Sequence, residues 1–293
     1  VHKGSGLSSS AAFEVMIGSI LNHFYAEDRV SAVEIAKMAQ YAENAFFGKP
    51  CGLMDQMACA VGGFIRIDFA DPAAPEVEQI PFDLAAHGYT LCIVNTGGNH
   101  ADLNEDYAAI PAEMKAVAKE LGQPVLRGLK TEDILAAIPR LRQSCGDRAI
   151  LRALHFTEEN DRVEQQTEAL RRGDLDAFLD FVHASSASSF RFLQNAYTVH
   201  QVREQGISLA IAVTEAAAAR WRSGKKNTTC NQTDRTEVRV HGGGFAGTVQ
   251  VFLPTSHVEE LRQTLDGIFG AGAVCPLSVR PVGAVCLDRG IRV

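Results

Sequence analysis

A glycine-and-serine loop that runs straight into an apolar helical pattern is the feature that most constrains this chain. Residues 4–10 read Gly-Ser-Gly-Leu-Ser-Ser-Ser, and Phe13, Met16, Ile17, Ile20, Leu21 and Phe24 then recur at three- and four-residue spacing. That spacing predicts an amphipathic helix with Ser8, Ser9 and Ser10 at its N-terminus. The backbone N–H groups at such an end are unpaired and lie at the positive pole of the helix dipole, so the loop suits a polyphosphate. Gly4 and Gly6 permit a tight turn and close approach of a ligand, while the hydroxyls can reach phosphate oxygens or Mg²⁺. A plain serine N-cap accounts for one of the three serines equally well. The GxxxxGK[ST] spacing of a Walker loop is absent.

The rest of the chain sets the scale. Its 293 residues, 46% of them apolar, can bury a large core in one big domain or two ordinary ones. A net charge of -7, with lysines and arginines dispersed, argues against nucleic acid or an anionic membrane surface as partner. Seven cysteines without a close Cys-X-X-Cys pair fit a reducing, cytoplasmic setting better than a disulfide scaffold or a zinc site. No apolar run approaches the length of a membrane span.

Periodicity predicts further helices over 33–47, 53–61, 107–121 and 131–141, and a long helical stretch over 150–202 broken at Gly173-Asp174. Strands are expected over 64–69, 89–94, 238–240 and 248–253, the last two bracketing Gly242-Gly243-Gly244. The run at 89–94 reads as a domain junction.

Asp55 follows Gly52 at a chain bend and precedes an apolar helix, where a partly desolvated carboxylate could act on a hydroxyl; an N-cap is the alternative for any Asp so placed. Glu43 reads as a helix-face carboxylate, Tyr107 as packing near a helix start, and the three glycines as a tight β-turn. The polar loop at 223–235 reads as solvated, 183–194 carries no assigned role, and "NTGGNHADL" at 95–103 reads as a connection between domains.

Three stretches taken together narrow the choice. "GSGLSSSAAF" at 4–13, "AQYAENAFFGKPCGLMDQ" at 39–56 and "VHGGGFAGTVQVF" at 240–252, in this order, resemble the motifs of the GHMP kinases, and the second resembles the branch that phosphorylates galactose. The resemblance implies an α+β, two-domain fold: residues 1–90 as an N-terminal part like the second domain of ribosomal protein S5, and 91–293 as a ferredoxin-like sheet with helices. It implies ATP, bound between the domains, with its phosphates on Gly4, Ser5, Gly6, Leu7, Ser8, Ser9 and Ser10. Mg²⁺ would be held by Ser10 and Glu43, Asp55 would be the catalytic carboxylate on the C1 hydroxyl of galactose, and Gly52, Asp55 and Tyr107 would bind the sugar. By the same resemblance, an arginine near the transferred phosphoryl group and a Glu-His-Asp set gripping the sugar lie outside these 293 residues. This polypeptide alone is therefore expected to be inactive and to leave apolar surface uncovered. A kinase for N-acetylgalactosamine or arabinose, and a non-catalytic regulator that binds galactose and ATP, remain the alternatives.

Overall fold

The computed structural model describes residues 7–48, 51–98, 103–224 and 234–286. Three helices open the chain: α1 (Ser9–Tyr25), α2 (Ala32–Ala45) and α3 (Met54–Val61). A reciprocal capping box fixes the start of α2, with Ser31 accepting from the Glu34 N–H and the Glu34 side chain accepting from the Ser31 N–H. A hairpin of β1 (Phe64–Asp68) and β2 (Glu76–Ile80) follows, in antiparallel register from Phe64 opposite Ile80 to Asp68 opposite Glu76. Asp71 makes its turn by accepting from the Ala73 N–H at 2.9 Å.

Chain contacts divide the protein into two compact units, residues 1–83 with 279–293, and residues 84–278. The boundary foreseen near residue 90 therefore falls inside the strand that opens the second unit, and the chain's last stretch goes back to the first. Within the first unit this return is tightly fitted. The Gly63 N–H donates to the Arg280 carbonyl at 2.7 Å, and Gln79 Nε2 donates to the Pro281 carbonyl at 2.8 Å. A Cβ on Gly283 would lie 1.8 Å from the Ala60 carbonyl oxygen, so no side chain fits there.

Val15 of α1, Ile35, Ala36 and Ala39 of α2, and Met57 and Ala60 of α3 form the core of this unit. The stripe whose spacing predicts α1 is not the one that α1 buries. Phe13 is 61% exposed and Phe24 72%, and Met16, Ile17, Ile20 and Leu21 are exposed between them. So extended an apolar face marks a contact surface.

The second unit is built on a four-stranded antiparallel sheet. Its strands are β3 (Tyr89–Asn95), β4 (Glu237–His241), β5 (Thr248–Pro254) and β6 (Val274–Leu277), in spatial order β4-β5-β3-β6. Alternate residues of β3 and β5, among them Cys92, Val94, Val249, Val251 and Leu253, pack against α8 (Gly206–Gly224) and α9 (Val258–Phe269). The other helices are α4 (Asn104–Glu120), α5 (Thr131–Ser144), α6 (Asp147–Arg171) and α7 (Leu175–Ser188). The break expected at Gly173-Asp174 separates α6 from α7, but the helical pattern expected to continue to residue 202 is corrected by the structure. After α7 the chain makes one π-helical turn over Ser189–Leu193, and Gln194 adopts φ 57, a left-handed conformation that ends the helix. No helix among the described residues is long and apolar enough to cross a membrane.

One buried titratable group makes the second unit acid-sensitive. His155 of α6 is buried and bonded to Ser188 Oγ at 2.9 Å. Burial lowers its pKa from 6.5 to about 4; Arg162 and Arg239 push the same way, and Glu159 opposes them. Between these two values the unfolded chain binds a proton that the folded chain refuses, so stability held above 6.5 is lost as pH falls towards 4. The expected loss is on the order of 3 kcal/mol over that window. Urea unfolding at pH ~7 and pH ~4.5 checks it: His155→Asn should flatten the difference, and an equal acid loss in both proteins would contradict the assignment.

Candidate active site

The N-terminal ends of α1 and α3 and the buried face of α2 bring four of the foreseen residues together in the first unit: Ser8, Ser10, Glu43 and Asp55. Ser8 is the N-cap residue of α1, but it does not cap. Its side chain makes no hydrogen bond to its own helix, and its backbone sits at φ 51, ψ 57, in the left-handed region. A non-glycine residue held there costs roughly 1–2 kcal/mol. The conformation turns its Oγ away from α1, where it donates a short hydrogen bond to Asp55 Oδ2. No acidic side chain stands in the first turn of α1. Its N–H groups thus keep the character that favours an anion.

Asp55 is not an N-cap either. Leu53 holds that position in α3, and Asp55 lies in the first turn with its carboxylate towards Ser8. The bend before it is pinned to α2, since the Cys51 N–H donates to Asn44 Oδ1 at 2.7 Å and Gln40 Nε2 donates to the Cys51 carbonyl at 3.1 Å. At Gly52 an added Cβ would meet nothing within 4 Å, so the backbone there lies in open space.

Glu43 lies on the buried side of α2, in line with Ile35, Ala36 and Ala39, and is only 4% exposed. Several donors converge on it there. Ser10 Oγ donates to Oε1 at 3.1 Å, while Gln56 Nε2 at 3.0 Å and Cys51 Sγ at 3.3 Å donate to Oε2. A buried carboxylate is tolerated when so many donors converge on it. Gln56, 1% exposed, leaves its Oε1 without a hydrogen-bond partner. Neither Gln56 nor Cys51 was singled out in the sequence; their position beside Asp55 in "CGLMDQ" was the available signal.

These oxygens suit a hard cation. The described residues contain no cluster of three or more His, Cys, Asp or Glu able to cage a metal. Mg²⁺ needs no such cage, being commonly held by one or two carboxylates and a nucleotide's phosphates. Ser10 Oγ and Glu43 Oε1 are donors of the right chemistry. Gly4, Ser5 and Gly6 lie outside the described residues; Leu7 and Ser9 lead into α1 beside Ser8 and Ser10.

Tyr107 belongs to the second unit, in the first turns of α4. Its hydroxyl donates to the Gly244 carbonyl at 2.8 Å, and its ring meets Phe245 edge-on at 5.4 Å. Burial, with Asp106 beside it, raises the pKa of the phenol. Gly244 has φ +84, and a Cβ there would lie 2.1 Å from the Asn195 carbonyl oxygen. The glycine turn is therefore required by its own packing, and Tyr107 locks it. Asn99 to Asp102 and most of the 223–235 loop lie outside the described residues.

Residues 1–63 match the family described as GHMP kinases N terminal domain. The galactokinase of Streptomyces coelicolor is 31% identical over 282 residues, which are 94% of this chain and 64% of that protein. The Streptomyces lividans galactokinase is 32% identical over 281 residues, 94% of this chain and 62% of that protein. The chain thus spans less than two thirds of the length of these relatives. Among solved structures, Lactococcus lactis galactokinase complexed with galactose superposes with a TM-score of 0.71 at 22% identity, over 97% of this chain and 68% of that one. The mevalonate kinase of L. major, in complex with R-mevalonate, gives 0.55 at 16% identity over 94% of this chain and 66% of that one. These likenesses establish the mixed α+β fold.

The geometry at Ser8 generates a test. Ser8→Ala keeps the left-handed cost and loses the bond to Asp55, a change of about 1 kcal/mol. Ser8→Gly loses the same bond and removes the backbone strain. Urea unfolding should rank Ser8→Ala below Ser8→Gly; the reverse order would mean that Ser8 is not held left-handed.

Proposed function

We propose that this chain, whose residues 1–63 match the GHMP kinases N terminal domain, carries the phosphate-binding and catalytic groups of a kinase transferring the γ-phosphoryl group of ATP to the C1 hydroxyl of galactose. The observation that carries the reading is the hydrogen bond from Ser8 to Asp55, which joins the glycine-serine loop to the candidate catalytic carboxylate. The relatives that align along nearly the whole chain are galactokinases.

In this reading the loop from Gly4 to Ser10 and the first N–H groups of α1 hold the phosphates. Ser10 and Glu43 are the residues that would hold Mg²⁺, which would supply charge neutralisation at the nucleotide's phosphates. Glu43 is oriented for this by Gln56 and Cys51. Asp55 accepts the hydrogen bond of the sugar hydroxyl, aligns it for in-line attack and takes up its proton. The bond from Ser8 holds the carboxylate in place beforehand. Gly52 lets the sugar lie against the backbone.

The competent enzyme is proposed to include the share of its relatives that this chain does not span. The exposed stripe of Phe13, Ile17, Ile20, Leu21 and Phe24 on α1 supports this, because such a face is stable when covered.

ADP release from Mg-ATP tests the proposal. Galactose-dependent turnover is expected from the polypeptide that includes that remaining share. Asp55→Asn should lower it by about a hundredfold or more while Mg-ATP still binds. An Asp55→Asn protein as fast as the wild type would remove Asp55 from the chemistry, and turnover independent of galactose would remove the sugar.

A further inference from the structure

Away from the Glu43 cluster, the first unit holds a nucleophile, a base and a carboxylate in series. Cys286 lies at the end of the stretch that returns to this unit, and its Sγ is 3.9 Å from His23 Nε2. His23 sits in the last turn of α1, and its Nδ1 is 3.1 Å from Asp28 Oδ2. The two side chains are 28% and 31% exposed, and Cys286 is partly exposed.

The turn that presents Asp28 is strained and firmly held. Glu27 and Asp28 have φ of 54 and 57, two successive left-handed residues without a glycine. A left-handed non-glycine residue persists only where its surroundings enforce it. Buried Asn22 does so here: its Nδ2 donates to the Val30 carbonyl, its Oδ1 accepts from the Val30 N–H, and its own carbonyl accepts from the Asp28 N–H at 3.1 Å. The turn thus aims the Asp28 carboxylate back at a histidine five residues earlier. Phe24 meets the imidazole edge-on at 5.1 Å and limits its rotation.

A carboxylate on Nδ1 keeps the imidazole proton on that nitrogen, which leaves the Nε2 lone pair facing the sulfur. This is the order nucleophile, base, orienting group that activates a thiol. Metal binding does not account for it, because the sulfur and the carboxylate lie on opposite nitrogens of one ring and cannot converge on a cation.

We propose that Cys286, with His23 as base and Asp28 as orienting group, is a reactive thiol that exchanges with low-molecular-weight disulfides. The thiol proton passes to His23 Nε2, and the thiolate attacks one sulfur of the small disulfide. A new S–S bond forms to Cys286 as the old one breaks. The departing thiolate takes the proton back from His23, so one half of the disulfide leaves as a free thiol and the other stays on the protein. The small disulfide is the oxidant, and no other is needed. The group is added three residues beyond Gly283, where the returning stretch is fitted against the end of α3 without room for a Cβ.

The test treats the reduced chain with oxidised glutathione and follows each cysteine by peptide mass mapping. Cys275 is exposed and serves as the reference within the same molecule. Cys286 is expected to take up glutathione about tenfold faster than Cys275 despite its lower exposure. His23→Gln should bring the Cys286 rate down to that of Cys275 or below, leaving Cys275 unchanged, and Asp28→Asn should fall between. A wild-type Cys286 no faster than Cys275, or one indifferent to His23→Gln, would overturn the proposal. Should His23→Gln fail to fold, the wild-type comparison and Asp28→Asn decide.

Discussion

The buried carboxylate of Glu43 is the interaction on which the first unit is organised. A carboxylate at 4% exposure on the same helix face as Ile35, Ala36 and Ala39 is costly unless donors surround it. Its donors come from three places, Ser10 in the first turn of α1, Cys51 in the bend before α3, and Gln56 in α3 itself. The electrostatic requirement of one side chain therefore fixes how three helix segments meet. Where they meet, the left-handed Ser8 is turned towards Asp55. The candidate active site and the packing of this unit are one arrangement, so replacing Glu43 would disturb both.

Much of this was legible in the residues. The helices at 9–25, 32–45 and 54–61 begin and end within a few residues of the reading from apolar spacing and Gly-Pro punctuation. Local features decide them: serine and glutamate at a capping distance, and glycine pairs that stop α3. The motif resemblance singled out Ser8, Ser10, Glu43 and Asp55, which the fold then gathers. Three things depend on contacts distant in sequence and could not be read from spacing. β2, with Glu76, Glu78 and Gln79 among its five residues, is a strand because it pairs with β1. β6 is four residues long and contains Pro276; it exists as an edge strand on β3. The return of residues 279–286 to the first unit is fixed by its fit at Gly62, Gly63 and Gly283.

The apolar stripe of α1 shows the limit of periodicity from another side. Spacing predicts that a helix forms, and it forms; it does not say which face the rest of the chain covers. Small residues, Ala11 and Val15, face α2 and α3 because close helix packing needs them, and the larger Phe13, Leu21 and Phe24 stay outside. The chain spans 64% and 62% of the two Streptomyces galactokinases.

The central claim is that the Ser8, Ser10, Glu43 and Asp55 cluster is the phosphate end of a nucleotide site. Amide hydrogen exchange with and without Mg-ATP addresses it most directly, because the claim names the backbone groups that the phosphates would engage. The account predicts slowed exchange concentrated in residues 7–12 and 51–57, lost when Glu43 is replaced by Gln. Exchange unchanged in both segments at saturating Mg-ATP, or slowed only in residues 84–278, would contradict it.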